Sequence, residues 1–144
     1  MIVLEEAKNV TLPHLRTIFL KERQRTFTEQ DTSEFKLEDF DKQTQGEYIL
    51  TALIDDIPVG FISIWMPNNF IHHLYVDTEY QGKNIGTQLL KATIQKTAFP
   101  ITLKCLANNI KAIEFYLKKG FIEKSRGQSS NGTYILFELK QDIK

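Results

Sequence analysis

The stretch His72 to Leu90, HHLYVDTEYQGKNIGTQLL, begins as a strand and ends as a helix. The strand takes in Phe70 and Ile71 and runs to Val76. In the helix, Ile85, Leu89, Leu90 and, further on, Ile94 are spaced for one buried face. The polar loop between them holds Gly82 and Gly86 and no acid after Glu79. A helix leaves its first N–H groups unpaired, and its dipole makes that end partly positive. An anion, above all a phosphate, is the natural partner. Gly82 and Gly86 let the backbone approach a ligand closely, and Lys83 adds a positive charge. No Gly-Lys-Ser/Thr closes the loop, and it lacks the G-x-G-x-x-G dinucleotide pattern.

Outward from this loop the element order follows from spacing and turn residues. Ile2 to Leu4 is a short β-branched strand. Leu12, Leu15, Ile18, Phe19 and Phe27, with Lys21, Glu22, Arg23 and Arg25 between them, fit an amphipathic helix. The segment 28–46 reads as a polar loop with a short second helix. Tyr48 to Ile54 and Val59 to Trp65 form a hairpin around Asp55-Asp56 and Pro58. Pro100 stops the helix after the loop, and Ile101 to Leu106 is a strand. Asn109 to Lys119 is a helix closed by Gly120. Phe121 to Arg126 and Tyr134 to Leu139 make a last hairpin around Asn131-Gly132. Antiparallel hairpins followed by a strand–helix–strand unit predict one α/β domain over residues 1–144 with a central mixed sheet.

Composition narrows the class. The 144 residues suffice for one core without staples. A net charge of zero argues against a nucleic-acid or membrane surface. No apolar run reaches the roughly 18 residues that span a bilayer. Cys105 is the one cysteine, so no internal disulfide forms, and a cytoplasmic home is expected. His14, His72 and His73 with Cys105 show no ligand spacing, so no metal is expected.

After the next strand comes NNIKAIEFYLKKGF, Asn108 to Phe121, with Asn109, Ala112, Phe115, Tyr116, Gly120 and Phe121 at the spacing N-x-x-A-x-x-F-Y-x-x-x-G-F. Before it, Leu74, Val76, Gln81 and Gly86 give L-x-V-x-x-x-x-Q-x-x-x-x-G. Together, in this order and with one strand between, they resemble the GNAT superfamily of acetyl-CoA-dependent N-acetyltransferases. The resemblance implies a mostly antiparallel sheet of about 6–7 strands flanked by about 4 helices. It implies acetyl-CoA as co-substrate, with Gln81, Gly82, Lys83, Asn84, Ile85, Gly86 and Thr87 at its pyrophosphate. Its pantetheine arm is expected along the backbone of Leu74, Tyr75 and Val76, with Asn109 nearby. Asn84 stands where the family loop usually has a glycine; asparagine tolerates left-handed backbone angles, so the loop geometry should survive.

By the same resemblance Tyr116 is the general acid for the leaving thiolate. An acceptor amine must lose its proton to attack, and His72 is the expected base. Strand alternation puts His72 on one face with Phe70, Leu74 and Val76, and His73 on the other. Glu22 and Glu47 are alternative bases. Cys105 is expected to be a buried, inert thiol.

The resemblance places the acceptor against the first helix and the following loop. There Glu29, Asp31, Glu34, Glu38, Asp39, Asp41 and Glu47 outnumber Lys36 and Lys42, which suits a cationic small-molecule or peptide amine. Phe27, Phe35, Phe40, Tyr48, Trp65 and Phe70 could wall its pocket or belong to the core. The expected activity is direct acetyl transfer to a primary amine in a ternary complex. The alternatives are an acyl-CoA-binding module without catalysis and, less in keeping with the motifs, a nucleotide-phosphate site on an unrelated fold. The final hairpin offers an edge for a homodimer.

Overall fold

The computed structural model describes residues 1–27 and 31–143. One seven-stranded sheet carries the order β1-β2-β3-β4-β5-β7-β6. Its strands are β1 (Ile2–Glu6), β2 (Tyr48–Ile54), β3 (Ile57–Trp65), β4 (Phe70–Val76), β5 (Ile101–Leu106), β6 (Ile122–Ser129) and β7 (Gly132–Leu139). The helices are α1 (Leu12–Thr26), α2 (Asp39–Gln43), α3 (Ile85–Lys96) and α4 (Ile110–Lys119). Among the described residues only β4 and β5 pair in parallel, joined by α3 as the strand–helix–strand order requires. The fold is the expected α/β arrangement with a mostly antiparallel sheet.

Each face of the sheet has its own core. On one, α3 and α4 cover a cluster that includes Ile62, Ile64, Ile71, Leu89, Leu90, Leu103, Phe121 and Phe137. On the other, Leu15, Ile18 and Phe19 of α1 meet Phe40 of α2 and Phe61 of β3. The buried stripe of α1 runs on through Glu22 and Arg23 at helical spacing. Both charges have partners. The Glu22 carboxylate accepts from the Thr78 backbone N–H (3.1 Å) and hydroxyl (2.9 Å). Arg23 donates to Asp39 (3.1 Å), its guanidinium 4.1 Å from the Phe19 ring centroid and 4.3 Å from that of Phe35. A buried ion must be paired, because removing it from water costs several kcal/mol.

α3 ends at Lys96, short of Pro100, where Thr97 turns to extended angles (φ −118°, ψ −178°). Asn109 caps α4 rather than starting it, accepting from the Ala112 N–H at 3.3 Å. Such a cap contributes about 1 kcal/mol. At the other end Gly120 adopts φ 103°, and the Phe121 N–H reaches back to the Tyr116 carbonyl at 3.1 Å.

The last hairpin leaves β6 exposed at the sheet edge. Within it Gly127 pairs with Tyr134, whose ring lies across the glycine; a Cβ there would sit 2.4 Å from the Tyr134 hydroxyl oxygen. Gly127→Ala is expected to push this ring away and cost about 1–3 kcal/mol of stability. A thermal melt within experimental error of wild type would refute it.

Candidate active site

β4 and β5 part company almost at once. Their parallel ladder covers only Phe70↔Thr102 and Ile71↔Leu103, while β5 stays paired with β7 as far as Leu106↔Tyr134. Beyond Ile71 the facing strand edges diverge, and a cavity opens on each side of the split. One, about 860 Å³, lies over the loop before α3 and beside α4. The other, about 610 Å³, lies toward α1 and the β6–β7 turn. Both are lined by Thr26, Leu74, Tyr75, Asn109, Ala112 and Tyr116, so they adjoin at the split.

The larger cavity suits a polyanion. Gln81, Gly82, Asn84, Ile85, Gly86 and Thr87 line it. Gly82 (φ 82°) and Asn84 (φ 69°, ψ 16°) are both left-handed, which bends the loop into a concave run of N–H groups at the start of α3. No acid occupies the first turn of α3, and the Asn84 side chain makes no capping bond. A Cβ on Gly86 would meet only Phe115, at an ordinary 3.5 Å, so the missing side chain leaves room for a ligand rather than relieving a clash. Arg25, Lys111, Lys118 and Lys119 line the same cavity, and Glu22, already held by Thr78, is its one lining acid among the described residues. The Gln81 side chain ties the loop to β4 by donating to the Val76 carbonyl at 3.0 Å. Lys83 is exposed and does not line the cavity, so its side chain takes no visible part.

Asn84→Val would put a β-branched residue at left-handed angles, a cost of roughly 1–2 kcal/mol. Anion binding at the loop is expected to weaken about tenfold. Calorimetry with acetyl-CoA checks this, and unchanged affinity would show that the loop geometry does not govern binding.

Tyr116 sits where the cavities meet. Its ring packs against Phe121 (centroids 5.3 Å) and Phe137 (6.1 Å), and its hydroxyl bonds to no described residue. Burial, with smaller contributions from Cys105 and Tyr75, holds its phenol well above the ordinary range, so it stays protonated. Burial likewise pushes Tyr75 up to about 12. The Cys105 thiol, beside the smaller cavity, is pushed up to about 11 by burial and is not a thiolate at neutral pH.

The strand parity expected for the histidines fails. Ser63 pairs with His73 but Ile64 pairs with Ile71, so His72 is an extra, bulged residue. The bulge reverses the alternation. Ile71, Leu74 and Val76 pack in the α3–α4 core. His73 and Tyr75 instead meet Phe19 of α1. His72 therefore leaves Leu74 and Val76, stacks on His73 (centroids 3.9 Å, 26° between planes) and lies 6.2 Å from the Phe70 ring. Both histidines line the smaller cavity. Glu47 reaches His72 from just before β2, its Oε2 2.6 Å from Nδ1. The carboxylate is 6 % exposed and the imidazole 37 %. With Nδ1–H donating to Glu47, Nε2 keeps a lone pair. Glu22 is engaged elsewhere, so of the two alternative carboxylates Glu47 is the one joined to a histidine.

The acid excess of the 31–47 segment does not reach this cavity. Asp39 pairs with Arg23, Asp41 with Arg16 at 2.8 Å, and Asp31 accepts from the Ser33 N–H. None of the described acids lines the smaller cavity; Glu29 lies outside the described residues. Of the six aromatics, Phe27, Phe35 and Phe70 line it. Phe40 is core, Tyr48 lies under Lys96, and Trp65 is 39 % exposed. Arg23, Lys104, Ser129, Ser130 and Tyr134 belong to its polar wall without any prior sign in the sequence.

The model of the Acetyltransferase (GNAT) family matches residues 12–121. The chain belongs to this family. A GCN5-related N-acetyltransferase from Rhodopseudomonas palustris is similar in structure: TM-score 0.79, 23 % identity, 96 % of this chain and 95 % of that one covered. The PaiA N-acetyltransferase from Thermoplasma acidophilum, solved with coenzyme A, gives 0.78 at 21 % identity over 98 % and 99 %. The ribosomal-protein-S18-alanine N-acetyltransferase from Escherichia coli gives 0.73 at 18 % over 100 % and 96 %. At these identities the likeness is one of fold. No curated protein matches the chain closely in sequence. Among the described residues of this GNAT chain no helix is long and apolar enough to cross a membrane.

Proposed function

We propose that this GNAT protein transfers an acetyl group from acetyl-CoA to a primary amine, with the co-substrate in the larger cavity and the acceptor in the smaller. This reading rests on Tyr116, a protonated phenol without a hydrogen-bond partner among the described residues, at the junction of the two. Acetyl-CoA, when bound, supplies an acetyl thioester whose thiol leaves as the amine nitrogen takes the acetyl group. The loop from Gln81 to Thr87 offers N–H groups to the pyrophosphate, and the cationic lining favours the remaining phosphate charge. The diverging edges of β4 and β5 offer main-chain partners to an extended arm along Leu74, Tyr75 and Val76, with Asn109 beside it.

His72 takes the proton that the amine must lose, through Nε2, while Glu47 holds the ring in place. Tyr116 gives a proton or a hydrogen bond to the departing sulfur. One proton is taken and one returned, so direct transfer balances without an acyl-enzyme. The protonated Cys105 agrees with that.

The acceptor cavity has aromatic walls, which favours an amine carrying an apolar or aromatic group. A thiol-release assay across a panel of amines, run with acetyl-CoA, tests the activity. Amine-dependent release of coenzyme A supports the reading. Tight acetyl-CoA binding with no release for any amine class would favour a binding module.

A further inference from the structure

We propose that Glu47, His72 and His73 form a binding site for a divalent transition-metal ion of the zinc class, entered from the acceptor cavity. Each offers one ligand atom, and these atoms all lie within 4.8 Å of one another. Two imidazoles and a carboxylate are the donor set such ions take, and three protein ligands leave a position open for water.

The second observation is the lack of partners. Glu47 Oε1 and His73 Nε2 are buried and bonded to nothing among the described residues. Buried polar atoms ordinarily find a partner, so two orphans in one cluster call for one. The Ser63 hydroxyl, opposite His73 across β3 and β4, is a third unsatisfied group there.

The bulge at His72 is what builds the cluster. In a regular strand adjacent side chains point to opposite faces. Here the extra residue puts both rings on one side, 3.9 Å apart, with Glu47 against His72. Metal–ligand bonds of about 2.0–2.2 Å require ligand atoms roughly 3–4 Å apart. The present spread closes if the His72 ring, the exposed member, turns out of its stack. The His72 proton on Nδ1, which donates to Glu47 Oε2, exchanges through solvent to Nε2, and the ion takes its place between Nδ1 and the carboxylate.

Occupancy would remove His72 as a base, so the ion inhibits acetyl transfer. That consequence rests on the catalytic reading above; the binding does not.

The test is calorimetric titration of the full chain with Zn²⁺, without acetyl-CoA, for wild type, His73→Gln and Glu47→Gln, each checked by circular dichroism. The expected result is one Zn²⁺ per wild-type chain at micromolar concentration and at least about tenfold weaker binding in each folded variant. Absence of saturable uptake by wild type, or uptake unchanged in the folded variants, would overturn the site. Turnover of metal-stripped protein in EDTA is measured alongside. Its failure would strike the catalytic reading and leave a measured zinc site standing. Turnover without zinc binding would strike the site alone.

Discussion

Tyr116→Phe is expected to lower kcat by about 10²- to 10⁴-fold, the usual contribution of a positioned general acid. The substitution removes one oxygen and keeps the ring. The contacts with Phe121 and Phe137 that hold α4 to the sheet therefore survive. The hydroxyl bonds to no described residue, so no native hydrogen bond is lost with it. Stability and acetyl-CoA affinity should stay near wild type while turnover falls. Steady-state kinetics beside a thermal melt decide the matter. Undiminished kcat in a folded variant would remove Tyr116 from the chemistry.

His72→Gln is expected to cost about 10²-fold or more in kcat at neutral pH, because the acceptor would lose the group that takes its proton. An alkyl ammonium titrates near roughly 10.4, so the neutral amine is scarce without help. His72 is partly exposed and bulged from the sheet, so its loss should leave the fold intact. Glu47→Gln should cost less, about tenfold, since Glu47 orients the ring rather than meeting the acceptor. A kcat for His72→Gln equal to that of wild type would hand the base role to water or to another residue.

Much of this was legible in the sequence because it depends on local chemistry. Element order follows from spacing and turn residues. The left-handed angle at Asn84 follows from a loop that needs one there and a residue that tolerates it. Asn109 acts as a cap through its side-chain carbonyl, and Gly120 because it lacks a Cβ. The bulge at His72 was not legible, because a register shift is a property of two strands pairing and not of either alone. Parity counting fails at such a point, and with it went the expected separation of the two histidines.

Glu22 and Arg23 look like solvated helix charges until Thr78 and Asp39 are seen to satisfy them. The acids of the 31–47 segment looked like an attractive field for a cation. Two of them, Asp41 and Asp39, are turned to Arg16 and Arg23 instead. Ser129, Ser130 and Tyr134 reach the smaller cavity only because β7 lies between β5 and β6.

The loop before α3 and the split between β4 and β5 are expected to hold acetyl-CoA. Isothermal titration of the purified protein with acetyl-CoA, beside ATP and NAD, is the deciding measurement. Micromolar binding of acetyl-CoA, with ATP and NAD at least about a hundredfold weaker, is the predicted result. No binding of acetyl-CoA, or equal binding of all three, would contradict the assignment of both cavities.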